Sequence, residues 1–165
     1  MNKTKKLTLT ALMGALVFVA TMFVHLPVPL SSGYVHIGDA FIYLAACILP
    51  TPYAVLSAVI GAGLADAIGY PVYIIPTIII KALIALAFSN KGAKIVSARN
   101  IASVIVASVI GLAGYFFADW ILLGSGYTAL MNTLLGAFQP VASAVVYVVL
   151  GYALDKVNFK NRFSI

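Results

Sequence analysis

The amino-acid sequence predicts an all-α integral membrane protein built as a bundle of six transmembrane helices. Hydrophobic residues make up 63% of its 165 residues and charged residues only 8%, and the mean hydropathy is +1.10. A water-soluble domain of this length needs far more charge on its surface. We expect a single transmembrane domain over residues 1–165, because about six helices of roughly 20 residues fill that length.

The chain divides into six apolar runs at proline, glycine and serine residues. The first run is long for the apolar core of a signal peptide, so we expect an uncleaved first span. The second is short for a hydrocarbon core ~30 Å thick at ~1.5 Å per residue. It either extends back through the His36 loop or forms a re-entrant pair with the third. In the sixth run, Pro140 leaves the Gly136 carbonyl without its helical donor. The predicted spans are Leu7–Leu26, Asp39–Leu49, Tyr53–Ile68, Val72–Phe88, Ile101–Leu123 and Ala129–Leu154.

The distribution of basic residues predicts the orientation of these spans. Six spans place the N-terminal tail, the 50–52 turn, the 89–100 loop and the C-terminal tail on one side. Nine of the ten Lys and Arg residues fall in those segments, and Lys81 is the exception. Because cytoplasmic segments carry the excess of Lys and Arg, both termini are expected to be cytoplasmic (N-in, C-in). The net charge of +6 is therefore typical of anchoring against anionic lipid and not of nucleic-acid binding.

Polar residues recur at helical spacing within the apolar runs. Ionisable groups are costly inside a bilayer and usually face an interior cavity, so these stripes predict an outward-opening polar pocket. Single residues also have simpler explanations. Asp39 can be a helix N-cap, and Asp66 and Asp119 can be solvated at the interface. Lys81 either extends toward the inner interface or has a buried partner or ligand. The stripes are His36, Asp39 and Tyr43; Tyr73, Thr77 and Lys81; Ser108, Gly111, Tyr115 and Asp119; and Asn132, Gly136, Gln139 and Ser143.

Two rows of small residues predict close approach between helices. One row, on the first span, consists of Ala11 and Ala15 with Gly14 beside them. The other, on the third span, is expected to pack inside the bundle: Ser57, Gly61, Ala65 and Gly69.

Motifs for catalysis are absent from the sequence. It contains no HExxH, no GxSxG and no phosphate-binding loop, and it offers no pair of acids suited to metal-assisted hydrolysis. The single cysteine, Cys47, excludes a disulfide framework or a cysteine-based metal site. We therefore expect no enzyme activity, no cofactor and no metal, and the chain cannot power transport with ATP by itself.

Three segments of the chain carry a family resemblance. They are Gly-Tyr-Val-His-Ile-Gly-Asp-Ala at 33–40, Gly-Tyr-Pro-Val-Tyr at 69–73 and Ile-Ile-Lys at 79–81. The chain resembles the membrane-embedded substrate-binding S components of energy-coupling factor (ECF) vitamin transporters, in the hydroxymethylpyrimidine-, pyridoxine- and riboflavin-type group. The resemblance implies a six-helix fold in a bacterial plasma membrane that binds its substrate from outside. It also implies a transmembrane T component carrying two cytoplasmic ATPases. The contact with that component would be the Ala-x-x-x-Ala row formed here by Ala11, Gly14 and Ala15.

The expected ligand is a small vitamin or vitamin precursor, an uncharged or weakly charged aromatic heterocycle. Such rings stack on tyrosine or tryptophan, while carboxylates, amides and a lysine fix hydroxyls and ring nitrogens. The alternative is a non-transport membrane protein, either an assembly subunit or a small membrane enzyme. An enzyme would need convergent acid–base or metal groups, which the sequence does not offer. The candidate binding residues are His36, Asp39, Tyr43, Tyr73, Lys81, Asn132 and Gln139.

Overall fold

A computed structural model describes residues 2–27 and 34–162, which form a helical bundle with one small hairpin. The predicted loop at 31–38 therefore begins outside the described residues. The short 3-10 helix Pro71–Tyr73 leads into the fourth α-helix. The elements are α1 (Lys3–Met22), β1 (His25–Pro27), β2 (Tyr34–His36), α2 (Gly38–Ile48), α3 (Thr51–Gly69), α4 (Ile74–Ala87), α5 (Ala98–Leu123), α6 (Gly126–Gly136), α7 (Phe138–Lys156) and α8 (Phe159–Arg162).

The first helix ends earlier than its apolar run. We predicted a span to Leu26, but α1 stops at Met22 and the chain turns into β1. Strands β1 and β2 pair antiparallel, with His25 opposite His36. Strand pairing uses the backbone hydrogen-bonding groups that a longer helix would have used. A strand of three residues is too short to be detected from apolar periodicity.

The short helix α2 lies in the centre of the bundle. Every residue of α2 except Phe41 is buried, so protein surrounds its ends. The predicted extension of this helix back through His36 is wrong, because residues 34–36 form β2. Non-helical backbone at membrane depth is tolerated where protein covers it, which is how an 11-residue helix can stand among longer ones.

Side-chain caps and prolines set the later helix ends. The Ser97 hydroxyl accepts from the Asn100 backbone N–H and starts α5 three residues before the predicted Ile101. Gly124, with φ of +67°, ends α5 in the left-handed conformation. The predicted sixth span is divided at Ala137 into α6 and α7, with Pro140 in the first turn of α7. The break coincides with the Gly136 carbonyl that proline leaves unpaired.

Four helical segments are long and apolar enough to cross a membrane: Lys3–Met22, Thr51–Gly69, Ala98–Leu123 and the divided segment Gly126–Lys156. Two shorter apolar helical segments, Gly38–Ile48 and Pro71–Ala87, stand between them. The chain is therefore a multi-pass helical membrane protein.

Hydrogen bonds join the segments that carry most of the positive charge at one end of the bundle. The Tyr147 hydroxyl, at 3.5 Å from the Cys47 sulfur, donates to the Ile95 carbonyl at 2.8 Å. The Asp155 carboxylate accepts from the backbone N–H groups of Ile95 and Val96 at 2.7 and 2.9 Å. These bonds tie α2, α7 and the loop before α5 together and hold that end of the fold closed.

Helices α1 and α3 approach closely through small residues. A Cβ added at Gly61 would collide with the Gly14 carbonyl and lie 2.7 Å from Cβ of Val17. Ser57 and Ala65 of the same row are also buried. The row from Ser57 to Ala65 therefore lies in an internal helix contact, as predicted, whereas Gly69 at the end of α3 is exposed.

Candidate binding cavity

A cavity of about 250 Å³ opens at the end of the bundle opposite the closed end. It is bordered by the start of α2, the end of α3, the 3-10 helix Pro71–Tyr73, residues 107–123 of α5, and the junction between α6 and α7. Its lining includes six of the seven predicted binding residues: His36, Asp39, Tyr43, Tyr73, Asn132 and Gln139.

The seventh predicted residue, Lys81, lies behind the cavity wall. It is 1% exposed, and its Nζ donates to Asp39 Oδ1 at 2.6 Å. The other oxygen of Asp39 accepts from Gln139 Nε2 at 3.0 Å. Of the two explanations for Lys81, the buried partner is the correct one. Asp39 is not an N-cap, since Ile37 holds that position and Asp39 lies in the first turn of α2.

A second carboxylate organises the opposite wall. Asp119, near the C-terminal end of α5, accepts from the Tyr73 hydroxyl at 2.8 Å and from Asn132 Nδ2 at 3.0 Å. Its side chain is buried, as is that of Asp66, so the alternative that these acids are solvated at the interface is wrong. Asp119 thereby fixes two predicted binding residues from different helices in one place.

Tyr115 connects the two walls. Its hydroxyl lies 3.0 Å from the Thr77 hydroxyl, and the Lys81 ammonium lies 5.2 Å from the centre of its ring. A cation at this distance from an aromatic face is stabilised electrostatically. The ion pair, the tyrosine and the threonine therefore form a continuous polar layer beneath the cavity.

The hydroxyl of Tyr43 has no hydrogen-bond partner among the described residues, although the side chain is 0% exposed. Its ring stacks on Phe88 with centroids 4.8 Å apart, which fixes its position. His36 contributes differently, because its Nδ1 accepts from the Gly38 backbone N–H at 3.1 Å and so holds the turn before α2.

Several lining residues were not among the predicted binding residues. The complete α5 stripe of Ser108, Gly111, Tyr115 and Asp119 faces the cavity, so helical spacing already pointed to it. Asp66 and Tyr70 also line it. They lie near the end of α3, outside the polar stripes, and the sequence allowed Asp66 to be solvated at the interface instead.

The small residues of α1 do not share one face. Ala11 and Ala15 are exposed on the outside of the bundle. Gly14 is buried, and a Cβ placed there would lie 3.4 Å from the Ser57 carbonyl oxygen of α3. Gly14 therefore packs inside the chain, and only the two alanines are available to another protein.

The fold and the cavity define a membrane-embedded small-molecule-binding protein, and sequence comparison assigns it to a family. The model of the family described as "ECF-type riboflavin transporter, S component" matches residues 1–157, and the chain belongs to this family. It is thus a component of a transporter and not an enzyme, which removes the enzyme alternative. An uncharacterized protein of Pyrococcus woesei, described by its position in a gap 3′ region, is 30% identical over 146 residues, 85% of this chain and 95% of that protein. No solved structure matches the chain.

Proposed function

We propose that this chain captures a small vitamin or vitamin precursor from outside the cell and presents it to an ECF T component and two cytoplasmic ATPases. The observation that carries the proposal is the cavity at one end of an apolar helical bundle, whose lining includes three carboxylates and two amides, with family membership in support. Six passes with both termini in the cytoplasm, within a bacterial plasma membrane, would open this cavity to the outside. The cation-rich segments would then face anionic lipid on the inside.

The binding residues in this proposal are His36, Asp39, Tyr43, Tyr73, Asn132 and Gln139 at the cavity, with Lys81 holding Asp39 from behind. Carboxylates and amides that face one another across a small volume can fix the polar atoms of a heterocycle. Tyrosine rings supply faces for stacking. The exposed Ala11 and Ala15 of α1 are the proposed contact with the T component, whereas Gly14 supports that surface from within.

The test is to extract the small molecule that co-purifies with the chain and identify it by mass spectrometry. Gly111 lines the cavity, so Gly111→Leu would add a side chain to the cavity wall. A Cβ at this position would lie 3.6 Å from Ile84, which is ordinary van der Waals contact. We expect the bound compound to be lost from this variant. Ile105→Phe is the matched control, because Ile105 lies on the same helix with 67% of its surface exposed. Equal amounts of one compound in both variants would contradict binding in this cavity.

A further inference from the structure

The cavity holds more negative than positive charge. Three carboxylates line it, those of Asp39, Asp66 and Asp119. Lys81 neutralises Asp39 through the 2.6 Å ion pair. Within residues 2–27 and 34–162, the structure shows no ion pair between a Lys or Arg side chain and Asp66 or Asp119. Asp119 receives only the neutral donors of Tyr73 and Asn132.

Two buried carboxylates without a counter-ion are unfavourable at membrane depth. Removing a charge from water costs several kcal/mol unless another charge compensates it, and intramembrane acids are therefore usually paired. Neutral hydrogen-bond donors reduce this cost but leave the net charge in place. A ligand that brings a positive charge would give Asp66 and Asp119 a direct ion pair like the one that Asp39 forms with Lys81.

Tyrosines give an independent indication of a ligand in the same space. Tyr43 lines the cavity, and its fully buried hydroxyl lacks a partner among the described residues. Tyr70, Tyr73 and Tyr115 line the cavity as well. Aromatic faces attract cations, and the attraction strengthens when water is excluded.

The volume restricts the size of the ligand. At about 250 Å³, the cavity is smaller than the roughly 300–1,000 Å³ of sites for drug-sized ligands, so it suits one ring with short substituents. Over the described part of the chain, no group of three His, Cys, Asp or Glu side chains is placed to hold a metal ion. An organic cation of this size would supply the missing positive charge.

We infer that the cavity selects a single-ring organic cation, an aromatic ring with a protonated amine, whose charge is balanced by Asp66 and Asp119. This inference rests on the proposed function, since it names the substrate class of the same site. It departs from the uncharged or weakly charged heterocycle that the sequence predicts, because the sequence could not show which acids are paired.

The experiment measures how tightly two probes of equal size bind to the purified chain in detergent at pH 7. One is 4-(aminomethyl)pyridine, whose amine is protonated, and the other is the neutral 4-(hydroxymethyl)pyridine. Calorimetric titration should give a Kd at least about 10-fold lower for the cation, the equivalent of about 1.4 kcal/mol. Asp66→Asn and Asp119→Asn should each reduce this ratio by about 5-fold or more, within the usual range for a charged hydrogen-bonded contact.

Asp155→Asn is the matched control. It removes one carboxylate of the same type, but at the closed end of the bundle, where Asp155 binds backbone N–H groups of the loop. This variant should lose stability and keep the wild-type ratio of the two dissociation constants. A ratio that fell equally in Asp155→Asn would point to a general charge effect and overturn the assignment to Asp66 and Asp119.

Equal affinity for the two probes, or no binding of the cation, would overturn the inference. The proposed function is judged separately by the co-purified compound. A neutral compound that is lost from Gly111→Leu would leave the capture function standing and refute the cationic substrate class. Absence of any compound together with absence of probe binding would refute both.

Discussion

At the scale of single residues, the Tyr43 hydroxyl is a buried group that gains nothing from the protein around it. An unpaired buried hydroxyl is destabilising, and replacing it with an apolar group of the same shape is close to neutral. We therefore expect Tyr43→Phe to keep or slightly raise the thermal unfolding temperature of the ligand-free chain. If the ligand bonds to this hydroxyl, the variant should bind the co-purified compound about 5-fold or more weakly.

Tyr147→Phe is the control for this prediction, because the two tyrosines contact each other edge to face and differ in their partners. The Tyr147 hydroxyl donates to the Ile95 carbonyl, and Tyr147 is not part of the cavity lining. This variant should lose about 1 kcal/mol of stability and bind the compound normally. The opposite pattern, with weaker binding only in Tyr147→Phe, would remove Tyr43 from the site.

The ion pair between Asp39 and Lys81 makes a different prediction. Removing one member of a buried pair leaves an uncompensated charge and costs about 3–5 kcal/mol. Lys81→Met should therefore destabilise the fold strongly in chemical unfolding. The double variant with Asp39→Asn should recover a substantial part of that loss, because no buried charge remains. The single variant Asp39→Asn completes the comparison. If the stability lost in the double variant equals the sum of the losses in Lys81→Met and Asp39→Asn, the pair does not act as a unit.

Residue types and helical spacing predicted most of the cavity lining. They could not predict which groups pair, because Lys81 and Asp39 are 42 residues apart and meet only through the packing of α4 against α2. The same applies to Asp119, whose partner Tyr73 lies 46 residues away. The spacing of residues along the sequence predicts which face of one helix a side chain lies on. Pairing between two side chains also depends on how their two helices are rotated relative to each other.

At the scale of elements, the contact between α1 and α3 depends on the absence of a side chain at Gly61. Gly61→Ala would force the two helices apart at the Gly14 carbonyl and Val17. Overpacking of this kind costs typically about 1–3 kcal/mol. We expect a correspondingly lower unfolding temperature in detergent.

Gly63→Ala is the matched control on the same helix. A Cβ there meets Ile78 at 3.4 Å, which is ordinary contact, and alanine favours the helix more than glycine does. This variant should be neutral or stabilising. Similar destabilisation by both alanines would mean that the backbone flexibility of α3 matters more than its close approach to α1.

The elements also show what apolar periodicity can and cannot resolve. The number and order of the apolar runs followed from prolines and glycines, and Pro140 marked the place where the last run divides. The β1–β2 hairpin was missed because its strands are only three residues long. The short length of α2 was visible in the sequence, but its central position was not, since hydrophobicity does not distinguish lipid from protein neighbours.

At the scale of the whole molecule, the two ends of the bundle differ in charge and chemistry. The cavity end holds three of the four aspartates, and the other end holds most of the lysines and arginines. This asymmetry was predictable from the sequence because orientation depends on the count of charges in loops and not on their contacts. The proposed contact with a partner protein lies on the exposed side of α1, at Ala11 and Ala15.

The last prediction concerns that surface. Ala11 and Ala15 are exposed on α1, and small residues at a helix surface in lipid permit a second helix to approach closely. Ala15→Trp should therefore leave the Kd of the isolated chain for its ligand unchanged and sharply reduce uptake in cells that also produce the T component and ATPases. Val109→Trp is the control, because Val109 is 61% exposed on α5 and lies outside this row. If Ala15→Trp transports as well as Val109→Trp, α1 faces lipid alone and the partner contact lies elsewhere on the bundle.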